Sequence, residues 1–168
     1  MSERVNRFMQ FSSDVENMFT QEEIEDILKD EQNFYIEHAE KNWLNRYFKV
    51  KAMANETQVP SIVSSISDMP HGSSNFKKSK TEMYAIKAIQ VSEWLEMLHS
   101  AIQSLSSIEQ ELIELKYLRK RNDGSRYSDE IIYPQLYIGR KKYYKMKREA
   151  LDILGRKLYG VFSERGQS

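Results

Sequence analysis

Apolar residues recur along this chain at steps of three and four, the period of amphipathic helices, and the stretches between them predict an all-α protein. Met1 to Thr20 is polar with scattered Phe and Met, and carries at most one short helix, Ser13 to Phe19. Thr20-Gln21-Glu22-Glu23 then fits a capping box, in which the Thr oxygen accepts a backbone N–H and Glu23 reaches back to the cap. Ile24, Ile27 and Leu28 follow at helical spacing, and the polar run Lys29 to Asn33 is expected to end this first helix. A second helix is expected from Asn33 to Ala54, with Tyr35, Ala39, Trp43, Tyr47 and Val50 as its stripe. An aromatic stripe can serve as a platform for bases or peptides, but core packing is its commoner use and the reading taken here.

From Asn55 to Ser79 the periodicity stops. Pro60, Pro70, Gly72 and many Ser residues mark a connector, closed by Lys77, Lys78 and Lys80. The longest helix follows, Lys80 to Leu105, where Tyr84, Ala88, Val91, Leu95, Leu98, Ile102 and Leu105 make a heptad seam. Such a seam either pairs two copies into a homodimer along 84–105 or packs against helices of its own chain. Trp94 and Met97 widen it beyond a strict coiled-coil stripe.

Ser106-Ser107-Ile108-Glu109 forms a second capping box, opening a helix with Ile108, Leu112, Leu115 and Leu118 in its stripe and cations at its carboxyl end. A turn follows at Asn122 to Ser125. Next comes a short apolar segment, Ile131 to Leu136, then Tyr137-Ile138-Gly139, then a cation-rich stretch that resumes helical spacing, the pattern of a helix-turn-helix. With Gly139 as cap, Tyr143, Met146, Ala150 and Leu154 face a core, while Lys141, Lys145 and Arg148 lie opposite and Arg140, Lys142 and Tyr144 flank them. The helix is expected to continue through Gly155 to Phe162, before a frayed tail. The chain thus divides into a helical amino-terminal region (1–54), a connector (55–79) and a long helix with the helix-turn-helix (80–168).

Charge sharpens this picture. The totals cancel, at 25 basic and 25 acidic residues, yet acids exceed bases by eight up to Leu115 and the excess reverses from Lys116 onward. A split of this kind points to one end that faces nucleic acid and an acidic end that does something else. A helix built only for solubility mixes signs, whereas the first turns after Gly139 carry cations alone until Glu149. Arg140, Lys141, Lys142 and Lys145 thus present charge outward, where a helix entering a major groove meets double-stranded DNA. Arg119 and Arg121 sit where the first helix of such a unit crosses the backbone.

Other chemistries find little support. Cysteine is absent, which removes disulfides and thiol nucleophiles, and His38, His71 and His99 stand far apart without companions at metal-ligand spacing. With no phosphate-cradling glycine loop and no nucleophile elbow, neither an enzyme nor a cofactor is expected. Lacking a membrane-length apolar run or a signal-peptide core, the chain is expected to be cytoplasmic.

Leu105 to Leu118 and Ser128 to Leu154 resemble region four of bacterial sigma factors. The chain is also similar to ArpU/RinA-type phage transcriptional regulators over roughly Ile66 to Tyr159. The shared features are the Tyr117-Leu118 pair, an Ile-Tyr-x-x-Leu segment at Ile132 to Leu136, a Tyr-Tyr-x-x-Lys-x-x-Ala-Leu segment at Tyr143 to Leu151, and the DMPHGSS connector. This resemblance implies a DNA-binding activator of phage or prophage late genes working with host RNA polymerase, and it carries the DNA contacts over to Arg140, Lys141, Lys142, Tyr144 and Lys145, with Arg148 on a phosphate. Two departures stand out. Gly139 replaces the usual Ser or Thr cap, and Pro134 lies inside the first helix of the unit, which should therefore be short, kinked or begun at Pro134. Two rivals remain: a DNA-packaging protein of the small terminase kind, and a sigma-like module that binds only protein.

Overall fold

The computed structural model describes residues 19–57 and 80–165, and every regular element among them is helical. The expected Ser13 to Phe19 helix lies outside the described residues except for Phe19, which sits in a bend, and residues 58–79 of the connector lie outside them too.

Helix α1 spans Gln21–His38 and opens on the expected capping box: Thr20 Oγ1 accepts the Glu23 N–H, and the Glu23 carboxylate accepts the Thr20 N–H at 2.8 Å. Its course corrects one expectation. Lys29 to Asn33 does not end the helix, because Lys, Glu and Gln are good helix formers and none of these side chains is buried, so polarity is no obstacle. The regular winding changes later, at a π-helical turn, Ala39–Trp43, and a 3₁₀ turn, Leu44–Arg46, before α2 begins at Tyr47 and runs to Thr57.

That wide turn has a packing cause. Steps of four drift about 40° in an α-helix, and a π turn, with more residues per turn, reduces that drift, bringing Ala39, Trp43 and Tyr47 closer to one line. A looser turn keeps all three buried, with Trp43 stacked on Trp94 at 4.9 Å.

Helix α3 spans Lys80–Gln103, and its seam is divided. Val91, Leu98, Ile102 and Leu105 are buried in the chain's own core, whereas Tyr84 near its start is 65% exposed, as are Met83 and Ile89 at 59% each. Over its carboxyl half, the internal alternative is the one observed. Helix α4, Ser107–Ile113, starts at the second capping box, with the Glu109 carboxylate accepting the Ser106 N–H at 2.9 Å, and continues into a π-helical turn, Glu114–Leu118. Helix α5 spans Asp129–Gln135 and α6 spans Arg140–Arg165, beyond the Phe162 end expected from sequence.

All of these share one core. Ala39, Trp43, Leu44 and Tyr47 belong to the same buried cluster as Leu98, Leu112, Ile132, Tyr143, Leu154 and Leu158. The acidic amino-terminal region is therefore packed against the basic carboxyl-terminal one rather than standing apart from it. The two are joined most closely where α1 crosses α6 at Gly155.

Candidate nucleic-acid interface

The succession of short helix, tight turn and long helix is present, and its backbone explains both departures noted in the sequence. Ser128 caps α5, its carbonyl accepting the N–H groups of Ile131 and Ile132. Pro134 stands in the last turn of α5, where its missing N–H leaves the Glu130 carbonyl unpaired by the helix. The helix ends one residue later, so Pro134 sits in a short helix and does not begin it. The chain then closes a Schellman turn: the Ile138 N–H donates to the Tyr133 carbonyl and the Tyr137 N–H to the Pro134 carbonyl, both at 3.1 Å. Gly139 caps α6, its carbonyl accepting the Tyr143 N–H at 3.0 Å.

Tyr143 is fully buried, and its hydroxyl donates to Asp129 at 2.7 Å. The same carboxylate receives Lys116 from the π turn after α4 at 2.7 Å and Lys147 from α6 at 3.2 Å. Three helical segments are thus tied at one acid. Burial on its own pushes the Asp129 carboxyl up, but the hydrogen bonds from Lys116 and Tyr143 and the two ammonium charges outweigh it and hold it below the ordinary aspartate range. Burial, and then the neighbouring Asp129, push the Tyr143 phenol well above its ordinary value, so it stays a donor.

The opposite face of α6 is open over its first turns. Arg140, Lys141, Lys142 and Lys145 are exposed, as is Tyr144 at 39%, with the Arg140 guanidinium 5.8 Å from the Tyr144 ring centre. Lys145 meets Glu149 at 3.8 Å, a loose exposed pair. These five residues come together as expected.

Arg148 does not join them freely. Its guanidinium donates to Gln32 at 3.1 Å and Asn33 at 2.6 Å, so α1 occupies the cation farthest along α6 among those assigned to DNA. Both partners are neutral amides. Arg119 is exposed and pairs with Glu114 at 3.3 Å, and Arg121 is exposed at the Asn122–Ser125 turn, where its backbone N–H donates to the Ser125 carbonyl. These two precede α5 in the chain, whereas the Arg140 cluster follows it.

One residue was not singled out from sequence. Tyr137 occupies the left-handed position of the Schellman turn, at φ 53°, with 96% of its surface exposed. Glycine is the usual residue there, so nothing in the sequence signalled that conformation.

Among the described residues no group of three or more His, Cys, Asp or Glu is placed to hold a metal ion, and no helix is long and apolar enough to cross a membrane. His38 packs between Phe34 and Tyr159, and His99 lies against Tyr47, while His71 falls outside the described residues. Comparison of the chain with protein-family models, with curated proteins and with solved structures gives no match.

Proposed function

We propose that this protein is a sequence-specific regulator that binds double-stranded DNA through a helix-turn-helix formed by α5 and α6. The observation that carries the reading is the open row of Arg140, Lys141, Lys142 and Lys145 on the first turns of α6, a helix whose other face is anchored by buried Tyr143. A recognition helix needs this arrangement, because its amino-terminal residues meet base edges and phosphates while its back is held rigid. The likeness to ArpU/RinA-type regulators supports a role in activating phage or prophage late genes with host RNA polymerase.

Binding of fragments from the source genome, followed by fluorescence anisotropy across salt, tests the first part. Six to eight phosphate contacts lower the affinity about 10³- to 10⁵-fold between about 50 and 200 mM salt, and a module that binds only protein retards no duplex at low salt. A promoter reporter combined with mass by light scattering tests the second part. A ring-sized particle that leaves transcription unchanged would favour DNA packaging.

A further inference from the structure

We infer that a second cationic surface, assembled from the α1–α2 junction and the loop between α4 and α5, grips the DNA backbone flanking the groove that α6 enters. The inference rests on the DNA-binding reading and gives the amino-terminal half a part in it.

Two sequence-distant segments meet there. Arg126 donates to the Asn45 side chain at 2.6 Å, and its guanidinium lies 5.8 Å from the Phe48 ring, while the Lys120 ammonium sits over the same ring at 4.4 Å. Lys49, exposed on the first turn of α2, follows Phe48 directly in the chain. Arg121 stands beside Lys120 in the loop.

A charged patch is ordinarily just solvated, and such a patch carries both signs. Here one nearby acid, Glu114, pairs with Arg119, while Asp123 accepts the N–H and hydroxyl of Ser125 and stays an anion that feels Arg121, so the cations outnumber the acids rather than standing alone. Lys49, Lys120, Arg121 and Arg126 form no ion pair among the described residues. The acidic half of the chain therefore contributes one cation, Lys49, beside three from this loop.

The spacing fits a duplex. Arg126 precedes the cap of α5 by two residues, and the Arg140 cluster follows the other end of the same helix. Seven residues of helix extend about 10 Å, close to the roughly 12 Å width of the major groove. With α6 in the groove, the bordering phosphates fall within reach of the second surface.

The test is the triple variant Lys49→Gln, Lys120→Gln, Arg121→Gln in the full chain, with binding to a genomic target duplex measured across salt and the backbone mapped by hydroxyl-radical footprinting. Each lost phosphate contact reduces the slope of log affinity against log salt by about 0.9, so the triple variant should lose up to about 2.7 and bind at least about 10-fold more weakly at about 100 mM salt. Its sequence preference should stay the same, because phosphate contacts do not read bases, and protection flanking the groove should disappear. A folded triple variant with the parent's slope, affinity and footprint overturns the inference and leaves the DNA-binding reading standing. A parent chain that retards no duplex at low salt overturns both. If the triple variant melts early, Lys49→Gln alone, at an exposed position, carries the test: a slope reduced by about 0.9 supports the inference and an unchanged slope overturns it.

Discussion

Gly155 of α6 lies against the backbone of Tyr35 in α1 so closely that a methyl group on its Cα would stand 1.9 Å from the Tyr35 carbonyl oxygen. No rotamer change can relieve that contact, since both partners are main chain. The crossing also sets the neighbouring contacts, Arg156 with Glu31 at 3.2 Å and over the Tyr35 ring at 4.5 Å, and Tyr159 against Phe34, Tyr35 and His38.

Gly155→Ala should therefore push α1 off α6. Overpacking of this kind costs about 1–3 kcal/mol, and trypsin should cut after Lys29 sooner than in the parent. Gly160→Ala is the control. Nothing lies within 4 Å of its added carbon, so the better helix former should leave stability unchanged or raise it by up to about 1 kcal/mol. Equal melting temperatures for Gly155→Ala and Gly160→Ala would show that the helices do not cross so tightly.

That crossing shows what the sequence could and could not disclose. Both capping boxes and the buried side of α6 at Tyr143, Ala150 and Leu154 were legible, because caps and stripes are local patterns with a fixed period. Polarity alone does not end a helix: an exposed one tolerates a run such as Lys29 to Asn33. The actual change of winding at Ala39–Trp43 contains neither Gly nor Pro and coincides with the stacking of Trp43 on Trp94, about fifty residues away. Four of the cations assigned to DNA, with Tyr144, are exposed on the first turns of α6, but the engagement of Arg148 by Gln32 and Asn33 is a long-range fact that no spacing encodes.

The carboxylate that opens α5 and ties it to α6 predicts an acid limb. Asp129 has its folded-state pKa below the value of the unfolded chain, so its contribution is present above that value and is lost as pH falls through the folded one. Stability should fall below about pH 4, and Asp129→Asn should flatten that limb while lowering the melting temperature at neutral pH. Tyr143 has the opposite sign. Its raised pKa keeps the phenol neutral in the fold, so stability should also decline above about pH 10, and Tyr143→Phe should shrink that decline and cost about 1.5–3 kcal/mol from the lost bond to the charged acid. Thermal melts across pH for the parent and both variants decide the matter.

Tyr137 sits in a conformation that costs an L side chain about 1–2 kcal/mol, with almost its whole surface in water. Tyr137→Gly relieves that strain but frees the unfolded chain, so a net gain of up to about 1 kcal/mol, or about 2–4 °C in melting temperature, is expected. A tyrosine kept there against stability is explained if it touches DNA beside Arg140. The variant should then be more stable and yet bind DNA more weakly. A variant that melts higher and binds as before would leave Tyr137 without a role at the interface.

Lys145 and Arg148 are both expected to meet DNA, but they start from different states. Lys145 is open apart from a loose contact with Glu149, whereas Arg148 must leave Gln32 and Asn33 before it reaches a phosphate. Lys145→Ala should therefore act on binding alone, weakening all sequences alike if it holds a phosphate and changing their order if it touches a base. Arg148→Ala should lower both stability and affinity, because the same guanidinium joins α1 to α6 in the free protein. Gln32→Ala with Asn33→Ala separates the two effects: freeing Arg148 should loosen α1 while DNA affinity rises or stays level. A parallel loss of affinity in that double variant would mean that the amides position Arg148 for DNA rather than compete with it.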